Sequence, residues 1–231
     1  MRSPQDTATA PARSWFVRGR LLGAAAIAFV VSVVVENAVL AVTGAPTFDA
    51  PIDDVLAYYA ANRDSVAIAS SLVALYLPLL LVFATGLHGL VERRGGAGAD
   101  WSRLAVAAGA TLSAVFVLVN VLQIGLALSA VGLAEPTPAF ELVWQVHAAA
   151  FALALPTLGA TFIGAALAAH ASGLTPAWQR LLGLVGGSLL LAAGLGNLAI
   201  ADGSPLLYLG LLGFAAWLVW LLATGLRLVR S

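Results

Sequence analysis

The sequence predicts an all-α, polytopic membrane protein with six transmembrane helices. Three observations lead there. Of its residues 61% are hydrophobic and only 10% charged, against about 45–50% apolar and about 25% charged in a soluble domain. Six apolar stretches reach the length of about 18 residues or more that a bilayer crossing demands. The arginines gather at alternate ends of those stretches, as in a chain that weaves through a membrane.

Residues 1–19 are polar, with Pro4, Pro11, Arg2, Arg13 and Arg18, and read as a cytoplasmic tail. The first apolar run, 20–43, is too long for the hydrophobic core of a signal peptide, so it is expected to remain as the first span. In the connection that follows, Pro51 suits a first helical turn. Ile52, Val55, Leu56 and Tyr59 then mark one helical face. This predicts an outer interfacial helix at about 51–62, with Tyr58 and Tyr59 at headgroup level. A loop helix packed on the bundle is the other reading.

The later spans are expected over about 65–92, 102–132, 140–171, 177–200 and 205–229. Turns at Arg93–Gly96, Glu135–Pro138, Gly173–Pro176 and Ala201–Pro205 divide them. The six-helix membrane domain is thus 20–231, built as hairpins 20–92, 101–171 and 177–230. Arg20, Arg93, Arg94, Arg103, Arg180, Arg227 and Arg230 fall at one set of ends, while Arg63 is alone at the other. The positive-inside rule then puts both termini in the cytoplasm and the protein in the plasma (inner) membrane, multi-pass.

A recurring frame runs through the hairpins. Arg20–Asn37, Arg103–Asn120 and Arg180–Asn197 each begin Arg-Leu and place an asparagine 17 residues later. Leu75-Tyr76-Leu77-Pro78 recurs as Leu153-Ala154-Leu155-Pro156, with Gly86 and Gly164 at one offset beyond. Three tandem hairpins in parallel repeat, related by an axis along the membrane normal, would produce this pattern. The GxxxG pair Gly183 and Gly187 predicts that the fifth span is the most buried.

At about 1.5 Å per residue the asparagines stand some 25 Å above their arginines, in the outer leaflet. Buried amides there need partners. They are either interhelical hydrogen bonds or, with Gln123 one turn from Asn120, the lining of a polar pocket. Glu36 is the strongest single signal, because a carboxylate in an apolar span is costly and marks a candidate site. His147, at a compatible depth in the fourth span, is its candidate partner for a proton site. The candidate polar pocket is therefore Glu36, His147, Asn37, Asn120, Gln123 and Asn197.

Other chemistry lacks support. The chain has no cysteine, which excludes disulfides, thiolate ligands and cysteine nucleophiles. It has no GxSxG and no phosphate loop, and Gly95-Gly96-Ala97-Gly98 lacks the lysine of a nucleotide-binding turn. His88 and His170 lie near inner helix ends and are offset by four residues on the repeat prolines, so helix-end hydrogen bonding is expected rather than haem ligation. No catalytic residue, metal ligand or cofactor site is assigned. No basic tract points to nucleic acid. Trp15, Trp101, Trp144 and Trp178 are expected at membrane interfaces, and Trp217 and Trp220 to pack or face lipid.

Three short stretches carry a resemblance: Asp54-Val55-Leu56-Ala57-Tyr58-Tyr59-Ala60-Ala61-Asn62-Arg63, Gly86-Leu87-His88-Gly89-Leu90 and Pro176-Ala177-Trp178. With them the chain, over nearly all of 15–230, resembles uncharacterised six-helix integral membrane proteins of actinobacteria. The resemblance implies a bacterial inner-membrane protein and no particular activity. The leading expectation is a non-enzymatic bundle that binds a partner protein, lipid or small hydrophobic ligand in its outer half. A small proton-linked transporter or permeation component using Glu36 and His147 is the alternative, and a cofactor-binding membrane enzyme is third. Membrane lipid, a protein partner and a second copy of the chain are the partners in view.

Overall fold

The computed structural model describes the backbone of residues 10–230 and the side chains from Gly19 to Arg230. Eight helices occupy the described residues: α1 (Ala10–Val42), α2 (Ile52–Ala61), α3 (Arg63–Arg93), α4 (Ala99–Ser129), α5 (Pro138–Ala171), α6 (Ala177–Leu195), α7 (Asn197–Ala201) and α8 (Leu206–Arg230). Six of them, α1, α3, α4, α5, α6 and α8, are long and apolar enough to cross a membrane. The chain is all-α and multi-pass. α1 is helical from Ala10, so the second half of the stretch expected as a tail is helix; residues 1–9 lie outside the described residues, as does the Trp15 side chain.

The six long helices pack in chain order, each beside the next, and α8 closes on α1 to complete a ring. Glycines set the close approaches. A Cβ on Gly23 would lie 2.6 Å from the Gly225 carbonyl oxygen, and one on Gly225 would lie 2.9 Å from that of Gly23. Gly213 meets the Gly186 carbonyl at 2.6 Å, and Gly164 meets that of Trp101 at 2.8 Å. Backbones this close leave no room for a side chain, so packing rather than a lipid-avoidance force holds these seams.

These contacts also fix the ends. Leu22, Gly86, Trp101, Gly164, Gly183 and Gly225 share one end of the bundle, here the terminus end. The opposite, capped end carries α2 and the connection 44–51. Val55, Leu56, Tyr58 and Tyr59 of α2 are buried against Leu126, Ala127, Phe140 and Trp144. Of the two readings for this helix, packing on the bundle is the one the structure has, since the tyrosines face protein instead of headgroups. Trp144 is buried with them, whereas Trp101 and Trp178 are exposed.

Two further expectations need correction. The most buried span is α5, with 61% of its apolar window inside, against 39% for α6. The glycines of α6 bring it close to two neighbours, but α5 touches α4, α6 and α7 and also reaches α3 and α8. Its alanines Ala148, Ala152, Ala154, Ala165 and Ala169 permit that central place. The fifth span is also shorter than 177–200. It stops at Leu195, Gly196 turns out of helical geometry, and α7 starts afresh. Gly194 and Gly196 weaken the last turn, glycine costing about 1 kcal/mol per helical position. Both α3 and α5 run unbroken through Pro78 and Pro156, and Gly194 receives the Pro156 ring.

The terminus half is densely filled. Trp217 and Trp220 stack at 5.6 Å and 9° and are fully buried among Phe83 and Phe162. Gln179 donates to the Thr224 hydroxyl at 3.0 Å beneath them. At the surface Arg103 pairs with Asp100 at 3.1 Å and with Glu92 at 3.4 Å.

Candidate functional site

The capped half keeps open space. Connection 44–51 drops Ala45, Pro46 and Phe48 over the bundle, and α2 adds Tyr58 and Tyr59. Beneath this cover lies a cavity of about 180 Å³, the upper chamber, also lined by Glu36, Asn120, Gln123, Trp144 and His147. A second cavity of about 140 Å³, the lower chamber, continues towards the bundle middle and is walled by Tyr76, Leu80, Leu112, Leu158, Phe214 and Trp217. Glu36, Leu40, Phe116 and Phe151 border both, so the chambers adjoin and Glu36 stands at their junction.

Glu36 is 8% exposed. Its neighbour is the Tyr76 phenol of α3, which serves as its side-chain hydrogen-bond partner. The pairing follows from the first hairpin, because α1 and α3 are adjacent and place these residues at one depth. Tyr76 was not legible as a site residue; in sequence it is one aromatic in an apolar span.

His147 is equally buried and stacks on Trp144 at 5.4 Å and 17°, with Phe48 edge-on at 6.1 Å. Its Nδ1 has no hydrogen-bond partner among the described residues. Glu36 and His147 line one chamber, yet no ion pair or hydrogen bond joins them among the described residues. The expected acid–imidazole pair is therefore two separate groups facing a common space.

The amides divide. Asn120 donates to the Ser70 carbonyl at 3.4 Å, tying α4 to α3, while its own Oδ1 and the Ser70 hydroxyl lack partners. Gln123 is buried and borders the upper chamber. Asn37 is exposed, donates to its own helix at Val33 (2.9 Å) and borders the lower chamber. Asn197 opens α7, half-buried and away from both chambers, because the break at Gly196 takes it out of the frame that the other two obey.

Tyr58 closes the cover through a 3.1 Å hydrogen bond with Thr43. Burial pushes the Tyr59 phenol above its ordinary range, reinforced by Tyr58, so it stays protonated. The chamber linings contain no arginine or lysine. Among the described residues no group of three or more His, Asp or Glu is placed to hold a metal. His170 meets the Thr175 carbonyl just past its own helix end at 3.2 Å, whereas His88 bonds the Ser102 hydroxyl of α4 at 2.8 Å and so bridges two helices instead of closing its own.

The arrangement suits binding: an apolar volume with one carboxyl, two phenols, one imidazole and two amides around its upper chamber resembles the general make-up of small-molecule sites. No protein-family model matches this chain, and neither a curated protein nor a solved structure does.

Proposed function

We propose that this chain is a bacterial inner-membrane protein, both termini cytoplasmic, that binds a lipid or small hydrophobic ligand in the outer half of its bundle without transforming it. The observation that carries the reading is the pair of adjoining chambers with Glu36 at their junction. On this topology the capped end faces outwards, and the ring order is what three parallel hairpins would produce. Both chambers are partly open and lined mainly by apolar and aromatic side chains with a few convergent polar groups, the general make-up of a ligand site.

The test is native mass spectrometry of protein purified in mild detergent, with Phe116→Trp as the variant that intrudes on both chambers. A bound mass retained by the native chain and lost from the variant supports the reading. Native protein with no bound mass, under conditions that preserve the fold, would remove its basis.

Proton-linked transport is the second reading, favoured by one carboxyl, three phenols and one imidazole around adjoining cavities. Against it stands the floor of the lower chamber, where Leu80, Leu112, Leu158 and Trp217 leave no polar side chain leading onwards. Proton uptake into vesicles that Glu36→Gln abolishes would favour transport over simple binding.

A further inference from the structure

We infer that the occupant is a single-chain amphiphile with a hydrogen-bond-donating, non-anionic head, held head-up in the upper chamber and chain-down in the lower, and admitted sideways from the bilayer between α1 and α8. The inference rests on the ligand-binding reading above and gives it a chemical class, an orientation and a door.

Orientation follows from how polarity is distributed. The upper chamber holds Glu36, Asn120, Gln123, Tyr58, Tyr59 and His147; the lower holds hydrocarbon and ring carbon apart from Glu36 and Asn37 at its top and the Tyr76 phenol. Most of the hydrogen-bonding groups are above; below, beyond Glu36, Asn37 and Tyr76, the Trp217 indole N–H is the one polar group on an otherwise hydrocarbon wall, which suits a methylene chain. Their shared border at Glu36, Leu40, Phe116 and Phe151 is where head and chain would join.

Head chemistry follows from charge and unfilled valence. Among the described residues no arginine or lysine borders either chamber, while a carboxyl does. A phosphate or carboxylate would enter without a cation to meet it, and unpaired buried charge is among the costliest of arrangements. The Glu36 carboxyl, which the Tyr76 phenol already meets, can accept further, and Asn120 Oδ1 is an acceptor without a partner among the described residues. They call for a donor: a hydroxyl or an amine.

The door follows from exposure. Asn37 of α1 and Leu211 of α8 are both exposed on the bundle surface, Leu211 by 43%, yet both border the lower chamber. The α1–α8 seam is tight at Gly23 and Gly225, near the terminus end. Higher up, the same seam is where the lower chamber reaches the lipid-facing surface. A chain dissolved in the membrane meets the opening at its own depth, without crossing water.

The test uses the full chain in nanodiscs and three photoreactive probes: hexadecanol, hexadecylamine and hexadecanoic acid, each with a diazirine at its chain end. Sites of labelling are mapped by peptide mass spectrometry. The alcohol and the amine should label saturably around Leu211, Phe214 or Trp217, and the acid about tenfold less, a difference of ~1.4 kcal/mol. Leu211→Trp should slow labelling severalfold, whereas Leu222→Trp, exposed elsewhere on α8, should not.

Chain-end labelling at Tyr58 or Trp144 would overturn the orientation. Equal labelling by the acid would overturn the head chemistry, and an unaffected rate in Leu211→Trp would overturn the door. If no probe labels but a lipid mass still travels with the purified protein, the single-chain class fails and ligand binding stands. If neither is seen, both fall.

Discussion

The two halves of the bundle surround their buried polar groups differently. In the terminus half Gln179 is paired with Thr224 and Ser102 donates to Ala99 at 2.7 Å while meeting His88. In the capped half Ser70, Asn120 and His147 each keep an atom unpartnered among the described residues, and Asn120 and His147 border open volume. The exceptions on the terminus side are the Thr175 hydroxyl and the two stacked indole N–H groups of Trp217 and Trp220. Each half thus keeps three such atoms among the described residues; what differs is the surroundings, because Asn120 and His147 line the upper chamber whereas Thr175 and Trp220 line neither. The difference teaches that the cavity is not loose packing spread through the fold, because the same helices close tightly a few turns away.

The largest expected effect comes from breaking the boundary between halves. Trp217→Ala should extend the lower chamber into the packed core and cost about 3–5 kcal/mol of stability, read by denaturant unfolding in detergent micelles. Next, Gly213→Val would drive a side chain against the Gly186 carbonyl and Leu190. It should cost about 1–3 kcal/mol by the same measurement, with the α6–α8 seam prised open.

Smaller effects sharpen the contrast. Gln179→Ala removes one partner of a satisfied pair and should lower stability by about 0.6 kcal/mol, at most about 1.7, the range for interhelical hydrogen bonds in membranes. Changes on the other side should go the opposite way. His147→Phe removes a buried polar group with an unpartnered atom, so its thermal midpoint should stay level or rise, and the double change Glu36→Leu with Tyr76→Phe, which removes both members of a buried pair, should do likewise. The same variants should lose ligand retention. A clear loss of stability in both would mean that the capped half is scaffold after all.

Most of the fold could be read from the chain because membrane insertion is written residue by residue: six apolar runs, broken by proline and glycine turns. What could not be read is depth of burial. The glycines of α6 look more interior than the alanines of α5, yet a glycine reports how close one neighbour comes, not how many neighbours there are. Asn197 shows a second limit. Its spacing from Arg180 matches the other two asparagines, but spacing fixes a position only while the helix continues, and Gly196 ends it.

The candidate site was half legible for a related reason. A carboxylate in an apolar span announces itself, so Glu36 stands out in sequence and lies on the cavity, as do His147, Asn120 and Gln123. Tyr76 carries no such signal, because a phenol is ordinary in both cores and interfaces. Whether Glu36 and His147 touch depends on helix rotation to within a residue, which periodicity in so uniformly apolar a chain does not fix.

The closure of the ring by α8 on α1 bears on how the molecule is made. Phe214, Trp217 and Leu211 of α8 form one wall of the lower chamber. During synthesis α1 and α3 can bring Glu36 and Tyr76 together early, but the pocket lacks that wall until α8, the last described helix, has entered the bilayer. Until then the space is an open furrow flooded by acyl chains, and the final helix encloses whatever lies in it.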